Sequence, residues 1–114
     1  MSHRKERFSS TLKQCLADIL VKDINNPLLK SAFISNVIVS NDLKKAEVFV
    51  SLSSASGHGG ADIDDLVSRL TKSRGFIKRT LAKRMYLKYI PELVFIKDEI
   101  MADRKANRIE TVKG

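Results

Sequence analysis

Two short strand-like runs lie between longer stretches of helical period, and this order of periods restricts the chain to a mixed α+β layer fold. Residues 33–40 are rich in β-branched and aromatic side chains, with Phe33, Ile34, Val37, Ile38 and Val39. Residues 45–52 alternate: Ala46, Val48, Val50 and Leu52 share one face, and Glu47, Phe49 and Ser51 share the other. Asn41-Asp42-Leu43-Lys44 links the two runs and opens on turn formers, so the pair predicts an antiparallel hairpin.

Helices are predicted on both sides of that hairpin. In residues 5–22, Phe8, Leu12, Cys15, Leu16, Ile19 and Leu20 recur at three- and four-residue spacing and form one apolar stripe. Asn25-Asn26-Pro27 ends the helix, because proline disfavours helical backbone at the residue before it. Residues 53–61 are Ser-, Ala- and Gly-rich and read as a loop. Asp62 then suits an N-cap, with Asp64 and Asp65 in a first turn where the helix dipole favours acids. Ile63, Leu66, Val67 and Leu70 set a helical period that resumes with Phe76, Ile77, Leu81 and Met85. Ser73-Arg74-Gly75 separates the halves. A glycine inside a helix costs ~1 kcal/mol relative to alanine, so its presence there predicts a kink. Pro91 leads into a third strand at 93–97. Three strands with helices on one face make a single two-layer α+β domain over residues 1–98, and residues 99–114 read as a polar, loosely ordered C-terminal tail.

Side-chain chemistry narrows the function classes. No apolar run approaches the ~20 residues of a membrane helix, and no apolar segment follows Met1-Ser2-His3-Arg4-Lys5-Glu6-Arg7 as a secretory signal would require. With one cysteine there is no intramolecular disulfide, so a cytoplasmic location is expected. His3 and His58 are the only histidines, and neither sits beside a carboxylate in a triad-like pattern. Cys15 falls on the apolar stripe, as a packed thiol would. Gly57-His58-Gly59-Gly60 lacks the Lys-Ser/Thr that ends a phosphate-binding loop, and Asp62, Asp64 and Asp65 lack the remaining ligands of a calcium loop. No catalytic, metal or cofactor site is therefore expected, and no small-molecule substrate.

What remains is charge: 21 Lys and Arg against 13 Asp and Glu give +8 and a pI near 9.8, a balance that points to a polyanionic partner. Its distribution is one-sided. Between Leu66 and Pro91 there is no acid, while Arg69, Lys72, Arg74, Lys78, Arg79, Lys83, Arg84 and Lys88 all fall there. A solvated helix face usually mixes signs for i,i+4 pairing. Charge of one sign over about seven turns repels itself unless a polyanion screens it. Lys72, Arg79 and Lys83 project within about 40° of one another at 100° per residue, opposite the apolar stripe, with Arg74 and Lys78 at its margins. Arg4, Lys5, Arg7 and Lys13 form a second cluster, which serves equally well as a second contact or as a solubilising N-terminus. Tyr86 and Tyr89 are able to stack on bases or to pack near Pro91.

The hairpin Val37-Ile38-Val39-Ser40-Asn41-Asp42-Leu43-Lys44-Lys45-Ala46-Glu47-Val48-Phe49-Val50-Ser51 and the segment Ile90-Pro91-Glu92-Leu93-Val94-Phe95-Ile96-Lys97-Asp98 together resemble the ribosome-binding factor A family, over roughly residues 4–98. The resemblance implies a type II KH-like fold of order α-β-β-α-kink-α-β, in which a helix–kink–helix with an Ala-x-Gly signature replaces the usual GxxG loop. Ser73, Arg74 and Gly75 occupy those positions, and serine is small enough to allow close approach of the half-helices. It also implies a monomeric, non-enzymatic factor acting in late maturation of the small (30S) ribosomal subunit. Such a factor binds near the neck and decoding region, favours 5′-end processing of 16S rRNA and its precursor, and supports growth in the cold. Arg4, Lys5, Arg7, Lys72, Arg74, Lys78, Arg79, Lys83, Arg84 and Lys88 are then the expected RNA contacts. The alternatives on sequence grounds are another KH-type module in translation initiation, or a basic protein-interaction domain.

Overall fold

The computed structural model describes residues 3–24, 26–52 and 61–98. The greater part of the predicted loop, 53–60, and the predicted tail lie outside the described residues. Helix α1 spans His3–Lys22, a short α2 spans Pro27–Lys30, strands β1 and β2 span Ala32–Val39 and Lys45–Leu52, α3 and α4 span Ala61–Lys72 and Arg74–Met85, and β3 spans Glu92–Lys97. The sheet order is β1-β2-β3; β1 and β2 are antiparallel and β2 and β3 are parallel. The parallel pair follows from the crossover through α3 and α4, since parallel neighbours need a long connection.

The amphipathic stripes meet on one face of the sheet. Leu12, Leu16, Ile19 and Leu20 of α1, Leu66 and Leu70 of α3, and Ile77 and Leu81 of α4 are buried against Val37, Val39, Ala46, Val48, Val50, Leu93 and Phe95. Cys15 is half-buried and packs against this cluster, as its place on the stripe predicts. Among the described residues no helix packs on the other face of the sheet, and Phe33 and Ile38 are exposed there.

Three local features depart from the sequence reading. Pro27 does not only end α1. It also opens α2, at the first helical position where its missing N–H costs nothing. Asn26 caps that turn by accepting the Leu29 N–H at 3.4 Å, and Leu29 is buried. Second, α3 begins at Ala61, so Asp62 lies inside its first turn rather than before it. Third, the break falls at Ser73, within the predicted Ser73-Arg74-Gly75 segment, and Gly75 lies inside α4: Ser73 has φ −90° and ψ 5°, outside the helical run. Its N–H bifurcates to the Arg69 and Leu70 carbonyls at 3.0 and 3.1 Å, and its hydroxyl makes no capping bond. Gly75 is exposed, and a Cβ built there would touch only Arg79 Nη1 at 3.6 Å, an ordinary contact. Close approach of the two half-helices is therefore not what this glycine provides.

In β1, Ser35 is an extra residue between Ile34, opposite Val50, and Asn36, opposite Phe49. This bulge shifts the pleat by one, so Ile34, Val37 and Val39 all face the core. The Ser35 hydroxyl sits between the Phe49 carbonyl oxygen, at 3.2 Å, and the Asp98 carboxylate. The bulge is thereby tied to the end of β3.

The β1–β2 turn is closed by side chains. Asp42 Oδ1 accepts from the Ser40 hydroxyl at 2.7 Å and from the Lys44 N–H at 3.1 Å, and Ser40 Oγ accepts from the Lys45 N–H at 3.0 Å. These bonds, led by that from Ser40, hold the Asp42 carboxyl below the usual carboxylate range. Leu43 completes the turn at φ 61°, a left-handed conformation that bulky side chains seldom adopt. Tyr86, which caps α4 at φ 54°, is the other non-glycine residue with positive φ among those described.

Candidate nucleic-acid interface

The broken helix pair presents its charge because its opposite side is buried. Leu66, Leu70, Ile77 and Leu81 are wholly inaccessible, which turns the polar residues of α3 and α4 outward. Lys72, Arg79, Lys83 and Lys88 are exposed, and none makes a hydrogen bond or ion pair among the described residues. Arg79 and Lys83 lie on one continuous helix at i,i+4 and share a face. Lys72 belongs to α3, across the break, so its angular alignment with them is not that of a single helix.

The remaining predicted contacts divide by environment. Arg84 is turned to the chain's own Asp23, with Nη2–Oδ2 at 2.7 Å and Nε–Oδ2 at 3.2 Å. That hydrogen bond raises its pKa above the ordinary guanidinium value, and the pair ties α4 to the end of α1. Arg74 is half-buried and donates to the Leu93 carbonyl at 3.2 Å, anchoring the start of α4 to the edge strand β3. Lys78 is half-buried at the margin of the apolar stripe, as its helical angle predicts. Lys5 donates to Asn41 Oδ1 at 3.0 Å, and Lys13 reaches the Ser35 carbonyl at 3.4 Å. Arg4 and Arg7 remain exposed and unpartnered among the described residues. Arg69, within the same basic run, pairs with Asp65 at 3.0 Å.

Thus four cations on and after the broken helix, with Arg4 and Arg7 on α1, are free to meet an external anion, whereas Arg74 and Arg84 serve the fold. No sequence signal separates these roles, because Asp23 and Leu93 lie 61 and 19 residues from their partners. Tyr86 and Tyr89 are 93% and 84% exposed, so they do not pack beside Pro91. Among the described residues, no cluster of His, Cys, Asp or Glu could hold a metal ion, and no helix is long and apolar enough to cross a membrane.

An α-β-β-α-α-β core with a mixed sheet, with Lys72, Arg79 and Lys83 exposed on its broken helix, defines the class: a KH-like α+β domain with a basic surface. The family model described as ribosome-binding factor A matches residues 4–112. Proteins of that name from Desulforamulus reducens and Coxiella burnetii are similar to this chain. The first is 34% identical over 83% of this chain and 76% of its own length, and the second 32% identical over 96% and 86%. The chain belongs to the ribosome-binding factor A family. A solution structure of a Thermotoga maritima protein, described as a candidate ribosome binding factor A, is 26% identical and superposes with a TM-score of 0.71 over 86% of this chain and 90% of that one. The crystal structure of ribosome-binding factor A from Thermus thermophilus shares the fold, with a TM-score of 0.68 at 20% identity over 82% of this chain and 93% of that one.

Proposed function

We propose that this protein is a non-enzymatic, monomeric assembly factor that binds the small (30S) ribosomal subunit through its rRNA in the cytoplasm, and that it assists late maturation of that subunit. The observation that carries this reading is the unpaired cationic face of α3–α4, where Lys72, Arg79 and Lys83 stand exposed on a segment without a single carboxylate between Leu66 and Pro91. Such a face follows a phosphate backbone and reads shape rather than sequence. A second support is the Thermus thermophilus ribosome binding factor A that has been fitted into a cryo-EM map of its 30S complex, a chain of like fold with a TM-score of 0.60.

Mechanistically the factor works by differential binding. If it holds one rearranged state of precursor 16S rRNA more tightly than the alternatives, it shifts the population toward that state by no more than the difference in affinity. Processing of the 5′ end then proceeds from the favoured state, and the benefit grows in the cold, where misfolded RNA persists. Free Lys72, Arg79, Lys83 and Lys88 provide the main contact and Arg4 and Arg7 the second. Arg74, Lys78, Arg84 and Lys5 shape the surface around them. The test is co-sedimentation and pull-down from cells: the protein is expected with free small subunits and precursor 16S rRNA, and absent from full ribosomes. Recovery with messenger or transfer RNA instead would assign it to initiation, and recovery with an acidic protein alone would remove the RNA reading.

A further inference from the structure

A cleft of about 520 Å³ opens where the start of α1, the β1–β2 turn and the end of α4 converge. Its volume falls within the range of small-ligand sites, roughly 300–1,000 Å³. It is remote from the Ser73 break: α4 places Met85 about 18 Å along the helix axis from that residue. Phe8, Leu43, Met85 and Leu87 make most of its walls apolar, and Arg4, Arg7 and Thr11 also line it. Neither arginine has a protein partner among the described residues.

The backbone marks the same place. Leu43 forms one wall, and Tyr86 falls between the wall residues Met85 and Leu87. These are the two non-glycine residues of positive φ among those described; Leu43 lines the cleft, and Tyr86 adjoins two residues that do. Strained residues of this kind collect at ligand sites, where the surrounding structure holds them. Tyr86 and Tyr89, on either side of Leu87 and Lys88 in the chain, are almost fully exposed.

We infer that this cleft receives one unstacked nucleotide of the bound RNA, its base between the apolar walls and its phosphate on Arg4 and Arg7. A base is a flat apolar ligand with an attached anion, which is the chemistry that these walls and guanidinium groups complement. Neighbouring bases find stacking surfaces on Tyr86 and Tyr89. This rests on the proposal that the protein binds RNA, and adds where a single-stranded or bulged position is read.

The full chain is titrated with three RNA hairpins of equal length: fully paired, carrying one bulged 2-aminopurine, and carrying an abasic bulge. The bulged base is expected to bind about 5- to 150-fold tighter than the other two, the range one stacked base supplies, with a change in its fluorescence on binding. Leu87→Ser, at a position outside the packed core, is expected to abolish that preference while leaving affinity for the paired hairpin unchanged. Arg4→Gln with Arg7→Gln is expected to lower affinity for all three hairpins, with a shallower salt slope. Equal affinity for all three hairpins overturns the cleft proposal and leaves RNA binding standing. Absence of binding to every hairpin overturns both. A poly-glutamate peptide that binds the cleft as tightly as the bulged hairpin, with the same sensitivity to Leu87→Ser, overturns the assignment to a base.

Discussion

Arg79→Gln combined with Lys83→Gln isolates the electrostatic contribution of the α4 face. Both side chains are exposed and unpaired, so their removal leaves no buried charge and no broken bond within the protein. Surface exchanges of this kind stay within about 0.5 kcal/mol each, and the melting curve is expected to hold. Binding is expected to change in a defined way. Each phosphate contact contributes about 0.7 to the slope of log K against log salt for single-stranded nucleic acid and about 0.9 for duplex, so two lost contacts make the slope shallower by about 1.4–1.8. Over a fourfold rise in salt, the affinity advantage of the unaltered protein then shrinks by about 7- to 12-fold. Fluorescence titration against small subunits, or against an RNA fragment, at several salt concentrations measures it. An unchanged slope with intact folding would refute the assignment of this face to phosphates.

The fold supports further expectations. Arg84→Gln, next in sequence to Lys83, is expected to leave the salt slope intact, because its guanidinium is engaged by Asp23; a slope change as large as that of Lys83→Gln would show otherwise. Gly75→Ala is expected to raise thermal stability by about 0.5–1 kcal/mol, since the added Cβ makes only an ordinary contact with the flexible end of Arg79 and the helix loses a costly glycine; a lowered melting temperature would restore a packing role for that glycine. Leu81→Ala, at a wholly buried position, is expected to cost about 2–5 kcal/mol in denaturant unfolding. The Asp42 carboxyl is held low by Ser40 and Lys44, so the stability it adds is present above the ordinary carboxylate range and lost as pH falls through its lowered value. Asp42→Ala is therefore expected to melt earlier than the unaltered protein at neutral pH and to converge with it in strong acid; a difference that persists there would contradict the linkage.

Periodicity was enough to place α1, β2, α3 and α4, because each buries a single face and that burial imprints a period on the residues, while β1 and β3 were placed by their β-branched and aromatic content. The apolar stripe Leu66, Leu70, Ile77 and Leu81 was legible for this reason, and its complete burial follows. The irregular β1 pattern was not. Ile34, Val37 and Val39 look out of phase until the bulge at Ser35 shifts the pleat, and the bulge is stabilised by Phe49 and Asp98 from other strands. Likewise Pro27 signalled a stop, but the turn it opens depends on burial of Leu29 in the assembled core.

For the candidate interface, the chain itself determined the sign and density of charge, since the absence of acid between Leu66 and Pro91 is a property of composition and needs no folding. Only the tertiary structure decided which cations are free. Arg74 and Arg84 are spent on a carbonyl and a carboxylate brought close by the packing of α4 against β3 and α1. The cleft beside Leu43 and Leu87 belongs to the same category, because its walls come from three segments that meet only when the domain closes. Hydrophobic period is a local imprint, whereas partner choice and concavity arise from contacts between residues remote in the chain.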